Sequence, residues 1–243
     1  MMTDVDDDLR ASLGALSRLA TGQMQLDDVL TRVAELAVAA IPGADGAGLM
    51  LVESDRPDVH VTTDPFVTAA DEFQYAIAQG PSVSAVAEER TVRTGSLAAD
   101  PRWPRFGPRS ARQGTHSVLA IPLGAPPGAL GCLNLYGRAP DAFDDEAVRI
   151  AELFAAPAGI AVENAQALAR AQRLAAQLQD ALTNRATIDH AIGIVMSRVG
   201  CGPDEAFGRL RQISQAENQK LHLVALRVVG EAVGRARARH LGP

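Results

Sequence analysis

Apolar residues recur along the chain with two different periods, which divide it into a mixed front part and a helical rear part. From residue 9 to residue 37 they recur every three or four positions, which predicts two helices that end before Pro42-Gly43. Runs of β-prone residues then predict five strands, at Gly46–Glu53, Asp58–Thr63, Thr91–Gly95, Ser117–Leu123 and Ala129–Gly137. Turns at 54–57 and 124–128 join two pairs of these strands.

Short helical segments interrupt this series of strands. The pattern predicts a helix over Asp71–Gln79 that stops at Gly80-Pro81, and another over Val83–Glu89. The Pro- and Arg-rich segment Asp100–Gly114 fits a loop and a helix that cap the sheet. Strands and helices in this irregular order favour an α+β domain built around an antiparallel sheet.

A single helical pattern runs from Asp144 to Val199, with Pro157 as its only strong breaker. Its apolar residues alternate by four and three, which is the spacing at which two helices pair, and a buried Asn in such a seam favours two strands. The predicted dimer seam, marked best by Asn164, Leu174, Leu178 and Ile188, comprises Ile160, Asn164, Ala167, Ala171, Leu174, Leu178, Ala181, Arg185, Ile188, Ile192, Val195 and Val199. The alternative is a helix whose stripe packs on its own domain.

Two further helices follow almost without a loop. Gly200 suits the end of the long helix, and Pro203 suits the first turn of the next. Asn218 is a candidate cap for the last helix. The buried stripes of these two helices are predicted at Ala206, Phe207, Leu210 and Ile213, and at Leu221, Val224, Ala225, Val228, Val229 and Ala232.

Charge is divided unevenly along the chain. Residues 1–169 carry 12 Arg against 23 Asp and Glu, a net charge of −11, whereas residues 170–243 carry 11 Arg and Lys against 6 acidic residues, a net charge of +5. A basic tail suggests a polyanionic partner, although Arg-rich helix surfaces also occur without one. The acidic start of the chain and the lack of a long apolar run predict a cytoplasmic protein without a membrane segment.

No arrangement of residues for catalysis or metal binding emerges. The chain has no phosphate loop followed by Lys, no GxSxG and no HExxH, and Cys132 and Cys201 match no metal spacing. We therefore expect neither an enzyme nor a metal or cofactor. Phe207 is the only aromatic residue after position 170, which argues against stacking of successive bases. Nucleic acid would instead meet cations on a folded shape, with Arg185, Arg198, Arg209, Arg211 and Lys220 as candidates.

Residues 182–229 resemble an ANTAR domain, an RNA-binding antitermination module of bacterial regulators. The resemblance is carried by Arg185, Ile188, Ala191, Gly193, Met196, Gly200, Asp204–Phe207, Leu210, Arg211, Ser214, Lys220, Leu221 and Ala225. It implies binding of paired RNA stem-loops in nascent mRNA leaders, which prevents a transcription terminator from forming, commonly by a dimer. Gly202 departs from the family because Ser or Thr often caps the second helix there, and His190, His222 and Leu223 replace residues that are usually more polar or basic.

The front part resembles the GAF sensor domains joined to ANTAR in actinobacterial regulators. The matching stretches are Gln79–Val86, Asp100–Phe106, Ser117–Gly124, Leu130–Gly137 and Ala142–Ala147. Ser82 stands where such relatives frequently have Cys, which argues against thiol sensing at that position. The resemblance places a tentative small-molecule pocket at Phe73, Val83, Trp103 and Phe106, although these four residues would equally suit core packing.

The sequence therefore predicts a signal-responsive RNA-binding antiterminator that works as a homodimer. Its parts are a disordered acidic N-terminus (1–9), a GAF sensor domain (10–165), a coiled-coil linker (160–182), a three-helix ANTAR domain (182–232) and a basic tail (233–243). A signal at the GAF domain would shift the weak, Ala-rich coil and change access to the RNA surface. The rival interpretations are a DNA-binding regulator with a helix-turn-helix, and a ligand-binding dimerisation scaffold that binds no RNA.

Overall fold

A five-stranded antiparallel sheet and a series of helices make up the structure, a computed structural model that describes residues 2–21, 24–52, 60–124 and 128–240, with the side chains of residues 2–6, 20, 21, 60 and 238–240 excepted. The chain separates into two units, Met1–Ala169 and Arg170–Pro243. The fold is α+β, as the sequence predicts. In the described part of the chain, no helix combines the length and the apolar composition that are needed to span a bilayer.

Eight helices and five strands follow one another in the described residues. The first unit begins with helices α1 (Met2–Thr21) and α2 (Leu26–Ala40) and strands β1 (Gly46–Leu51) and β2 (His60–Thr62). Helices α3 (Pro65–Ala76) and α4 (Pro81–Glu88), strand β3 (Val92–Thr94), a 3₁₀ turn (Leu97–Ala99), α5 (Phe106–Arg112), β4 (Ser117–Leu123) and β5 (Gly131–Gly137) complete the sheet region. The long helix α6 (Asp145–Val199), α7 (Pro203–Ala216) and α8 (Leu221–His240) follow.

The sheet has the strand order β2-β1-β5-β4-β3, and every pairing in it is antiparallel. Successive side chains of a strand point to opposite faces, so β5 sends Leu133 and Leu135 to one face and Cys132, Asn134 and Tyr136 to the other. The first face packs against α1, α2 and the start of α6. The second face packs against the aromatic and aliphatic side chains of α3, α4 and α5.

The second unit has a small core of its own. Ala191 on α6, Leu210 on α7, and Val224 and Ala225 on α8 are fully buried, and six aliphatic side chains pack around them with partial burial. Gly200 ends α6 with a left-handed backbone (φ 72°), as predicted, and Pro203 lies in the first turn of α7. Gly202 precedes α7 without a side-chain cap, which agrees with the departure noted in the sequence.

The N-terminus differs from the prediction because α1 begins at Met2, where we expected disorder over residues 1–9. Leu9 and Leu16 are buried against the rest of the first core, and the ion pair between Arg10 and Asp7 lies on the exposed side of the helix. Acidic residues early in a helix interact favourably with its dipole, so an acidic start is compatible with helix.

Two helix starts in the first unit were also predicted wrongly. Helix α3 begins at Pro65 rather than Asp71, because the Asp64 side chain accepts a hydrogen bond from the backbone N–H of Phe66 (3.0 Å) and Pro65 fits the first turn. Pro81, which the sequence predicts to stop the preceding helix, is the first residue of α4, because its fixed backbone angle suits the first turn of a helix. In both cases Pro marks the beginning of a helix.

Asn218 does not cap α8 as we predicted but terminates α7. Its backbone is left-handed (φ 49°), which Asn tolerates better than most residues. The N–H of Gln219 bonds the carbonyl of Ser214 (3.0 Å), and that of Asn218 bonds the carbonyl of Gln215 (3.3 Å), the hydrogen bonds of a Schellman motif. On α7, Phe207 (39% exposed) and Ile213 (36% exposed) lie outside the buried stripe that we predicted, whereas Ala206 and Leu210 are buried.

All five predicted strands form. Strand β4 has its predicted bounds, whereas β3 and β5 are each two residues shorter than predicted. The start predicted for the second strand, at Asp58, lies outside the described residues. The turn predicted at 54–57 lies outside the described residues, as does most of the connection predicted at 124–128.

Candidate functional site

The second unit exposes basic side chains on all three of its helices. The five predicted RNA-contacting residues, Arg185, Arg198, Arg209, Arg211 and Lys220, are all exposed. Arg209 is held by Glu205 one turn earlier (2.9 Å), which raises the pKa of its guanidinium. Within the part of the chain that the structure describes, the other four side chains form no ion pair or hydrogen bond, and Arg185 does not pair with Asp189. Their charges are therefore available to a partner.

Arg198 lies between two surface grooves of this unit. One groove, of about 840 Å³, runs between α6 and α8, and the other, of about 420 Å³, is lined by residues of α6, α7 and α8. Arg198 shares the lining of the larger groove with Asp189, His190, Ser197 and Arg235. The smaller groove is lined by both Arg198 and Arg209, and most of its other lining side chains are aliphatic. Arg198 is thus the predicted cation that the tertiary structure places most centrally.

The structure brings only some of the predicted cations together. Arg185, Arg211 and Lys220 line neither of these two grooves. Lys220 precedes α8, and its carbonyl accepts the N–H of Leu223 (2.9 Å). Arg235, which we assigned to a frayed tail, lies within α8 and pairs with Glu231 (3.1 Å).

A group of buried polar side chains lies on the α3–α4 face of the sheet in the first unit. We call it the polar core cluster, and it comprises Asp71, Gln74 and Tyr75 of α3, Ser82 of α4, and Cys132, Asn134 and Tyr136 of β5. Buried polar groups of this kind are stable only when they are hydrogen-bonded, and these side chains supply partners to one another.

Asp71 is the hub of the polar core cluster and is completely buried. Its Oδ1 atom accepts hydrogen bonds from Gln74 Nε2 (2.7 Å), from Asn134 Nδ2 (3.1 Å) and from the hydroxyl of Tyr136. A Cβ atom on Gly48 of β1 would collide with the other carboxylate oxygen, so glycine at that strand position makes room for Asp71.

The other members connect this hub to α4. The side-chain Oε1 atom of Gln74 accepts a hydrogen bond from the backbone N–H of Ser82 (3.1 Å). The hydroxyl oxygens of Tyr75 and Ser82 are 3.3 Å apart. Burial, and then the charge of Asp71, raise the pKa of Tyr136 and that of Tyr75 well above the usual value for tyrosine. Both phenols therefore stay protonated and act as hydrogen-bonding groups.

Two family models match the chain, one on each part. The model of the GAF domain matches residues 23–163, more than half of the chain. The chain belongs to the GAF domain family. The model of the ANTAR domain matches residues 176–229. A GAF domain that is followed by an ANTAR domain is the architecture of a regulator, in which GAF is a ligand-sensing domain and ANTAR an RNA-binding antitermination domain.

The first unit is similar in fold to a solved GAF domain, and the comparison also found a similar reductase structure. The GAF domain of a phosphoenolpyruvate-protein phosphotransferase from Coxiella burnetii is 17% identical, with a TM-score of 0.50, over 70% of this chain and 97% of that chain. A free methionine-R-sulfoxide reductase from Neisseria meningitidis, in complex with its substrate, is 18% identical, with a TM-score of 0.47, over 67% of this chain and 91% of that chain. No curated protein matches the chain.

Three of the four residues predicted for a GAF ligand pocket, Phe73, Trp103 and Phe106, pack in the core on the α3–α4 face. Trp103 and Phe106 are buried, and Phe73 is half-buried and stacks on Phe106 with ring centroids 6.2 Å apart. The indole N–H of Trp103 donates to the Ser84 hydroxyl (3.0 Å), and Val83 is half-buried beside it on α4. The GAF domain also has a groove of about 600 Å³, but none of these four residues lines it. Its lining includes Glu89, Glu152 and Glu163.

Sequence reasoning missed the polar core cluster, apart from its remark that Ser82 replaces a frequent Cys. The signal was available in the alternation of Cys132, Asn134 and Tyr136 with two leucines along this strand. One thiol, that of Cys132, does lie in this core, but burial raises its pKa to about 12, because the thiolate would lose its hydration. This supports the inference from Ser82 that the site is unsuited to thiol chemistry.

Proposed function

We propose that the protein is a signal-responsive antiterminator whose ANTAR domain binds paired RNA stem-loops in nascent mRNA leaders. The match of the ANTAR family model to residues 176–229 carries this proposal. The exposed, unpaired guanidinium of Arg198 between two grooves supports it, because Arg meets phosphate and base edges through several donors at once.

The proposed active form is a homodimer that forms through α6. Leu174 and Leu178 are each 57% exposed, and Ile160 is 58% exposed, so an apolar stripe along the predicted seam is open to a second copy. Leu153, four residues before Pro157, extends this exposed stripe by one heptad. Ile188, the last marker of the predicted seam, is half-buried against the ANTAR core, which leaves less of its surface for a partner.

The proposed sensor is the GAF domain, with a small polar ligand that exchanges hydrogen bonds with the polar core cluster. The aromatic and aliphatic side chains of Phe73, Val83, Trp103 and Phe106 would supply the apolar wall that such ligands need. Ligand binding changes RNA affinity only if it favours one arrangement of the dimer over the other. Removal of bound metabolites by unfolding and refolding should therefore alter the affinity of the full-length protein for RNA.

Fluorescence anisotropy of labelled RNA with the full-length protein tests the RNA interface. We expect a double-hairpin leader RNA to bind more tightly than duplex DNA at matched salt, with an affinity that falls as salt rises. Arg198→Gln should weaken binding and lower the salt slope by about one phosphate contact. Arg227→Gln is the matched control, because it removes the same charge from a guanidinium already held by both oxygens of Glu217 (2.8 and 2.7 Å).

Three outcomes would contradict the proposal. Equal affinity for duplex DNA and RNA would favour a DNA-binding regulator. The absence of salt-dependent RNA binding would favour a dimerisation scaffold. Equal effects of the two Arg substitutions would show that Arg198 contributes only its charge to the electrostatic potential of the protein and makes no specific RNA contact.

A further inference from the structure

A basic face lies on the GAF domain, in a unit whose overall charge is strongly acidic. The segment from Pro101 to His116 contains four Arg and no Asp or Glu. Arg105, the N-cap residue of α5, is followed at spacings of four and three residues by Arg109 and Arg112, so the three project within one narrow sector of the helix. All three are exposed. We call these residues the α5 basic face.

The opposite side of α5 is fixed in the core, which holds this face outward. Phe106, Gly107 and Ser110 are buried, and Gly107 packs so closely on the carbonyl of Leu97 that a Cβ atom would collide with it. The Gln79 side chain accepts the backbone N–H groups of Arg105 (2.9 Å) and Phe106 (3.2 Å). The backbone that carries the arginines is therefore ordered before any partner binds.

The guanidinium groups of this face are available to a partner. Within the described residues, Arg105 and Arg112 make no ion pair and no side-chain hydrogen bond. The guanidinium of Arg109 lies 4.0 Å from the ring centroid of Phe73, a contact that orients its side chain and leaves its charge unneutralised. Nearby Arg102 is different, because Asp100 holds it at 2.6 Å and the pKa of that carboxyl falls to about 2.

We propose that the α5 basic face binds the phosphate backbone of the same leader RNA, as a second contact surface outside the ANTAR domain. The inference rests on the proposed RNA-binding function. Arg105 and Arg112 are separated by about 10 Å along the helix, which is long enough to meet more than one phosphate. A membrane surface fits less well, because the large apolar side chain of α5, Phe106, is buried and unable to insert.

The test measures the anisotropy of a labelled double-hairpin RNA with the full-length protein between about 50 and 400 mM salt. Arg105→Gln/Arg112→Gln should bind about tenfold more weakly near 100 mM salt, with a salt slope lower by about 1 to 2. The affinities of variant and wild type should converge as salt rises. Arg105→Lys/Arg112→Lys should restore most of the slope, because phosphate contacts depend first on charge.

Arg90→Gln/Arg149→Gln is the matched control. It removes two charges from the same unit, but its guanidiniums pair with Glu88 and Glu146 on other surfaces. Circular dichroism and thermal melting establish that each variant is folded. The control should keep the affinity of the wild type to within about twofold, since exposed ion pairs contribute little.

The outcomes separate this inference from the proposed function. RNA binding by wild type that is unchanged in Arg105→Gln/Arg112→Gln would overturn the α5 surface and leave the ANTAR interface standing. A loss of equal size in the control would also overturn it. Absence of salt-dependent RNA binding by wild type would overturn both proposals. Binding of the protein to phosphatidylglycerol vesicles is measured in parallel. If Arg105→Gln/Arg112→Gln loses vesicle binding and keeps the RNA affinity of the wild type, the face is a lipid surface and the RNA assignment is overturned.

Discussion

The two cysteines of this chain lie in opposite surroundings. Cys132 is fully buried in the polar core cluster, where its thiol donates to the Asn134 side chain (3.2 Å) and its pKa is raised to about 12. Cys201 is half-exposed at the turn between α6 and α7. The sequence shows only that both are far apart, whereas their reactivity depends on burial, which the fold determines.

We expect a chromogenic disulfide reagent, which releases a coloured thiolate on reaction, to react promptly with one thiol per chain at pH 8. Because the pKa of Cys132 is about 12, roughly one in ten thousand of these thiols is ionised at pH 8, and burial blocks access as well. Raising the pH toward 10 should not expose it. Cys201→Ser should abolish the prompt reaction and Cys132→Ser should leave it unchanged, and denaturant should release the second thiol. Prompt reaction of two thiols in the native wild type would contradict this assignment.

The heptad pattern of helix α6 lies in two different surroundings. Its exposed apolar members from Ile160 to Leu178 have no partner within the first or second core, whereas Ile188, Ile192 and Val195 pack on the ANTAR core. Periodicity alone predicted both the helix and its stripe. It did not distinguish surface that pairs with another chain from surface that packs within its own domain, because both have the same spacing.

Leu174→Asp/Leu178→Asp should convert the proposed dimer to a monomer, because two charges per chain would have to be desolvated in the seam. Sedimentation velocity over a range of concentrations measures this change. Gln172→Asp/Gln179→Asp adds the same charges outside the seam and should leave the dimer intact. A monomeric wild type, or a dimer that survives the Leu substitutions, would exclude the seam as the dimer interface.

At the scale of the whole molecule, the chain combines a large core with a small one. The GAF domain packs both faces of its sheet, whereas the described residues of the ANTAR unit include five fully buried side chains. Burial of apolar surface is the main source of stability, so the ANTAR domain is expected to be the weaker unit.

Chemical unfolding should therefore occur in two phases that different probes report. Trp103 is the only tryptophan and reports on the GAF domain, whereas the far-ultraviolet circular dichroism also contains the ANTAR helices. The far-ultraviolet circular dichroism signal should begin to fall at a lower denaturant concentration than the one at which the fluorescence of Trp103 begins to change. Leu210→Ala should destabilise the early phase by about 2–5 kcal/mol and leave the Trp103 transition unchanged. Coincident transitions by both probes would show that the units unfold together.

The sequence by itself determined the antiparallel sheet, the long helix and the two-part architecture, because periodicity and turn residues act locally. It also identified both families, through motifs in fixed spacing. Only the tertiary structure decided that Asp71, Gln74 and Asn134 meet, since they come from α3 and β5 and are brought together by the sheet register. The same holds for Arg198 beside Arg209 and for the outward face of α5. Burial and proximity between distant segments are properties of packing, and no local pattern encodes them.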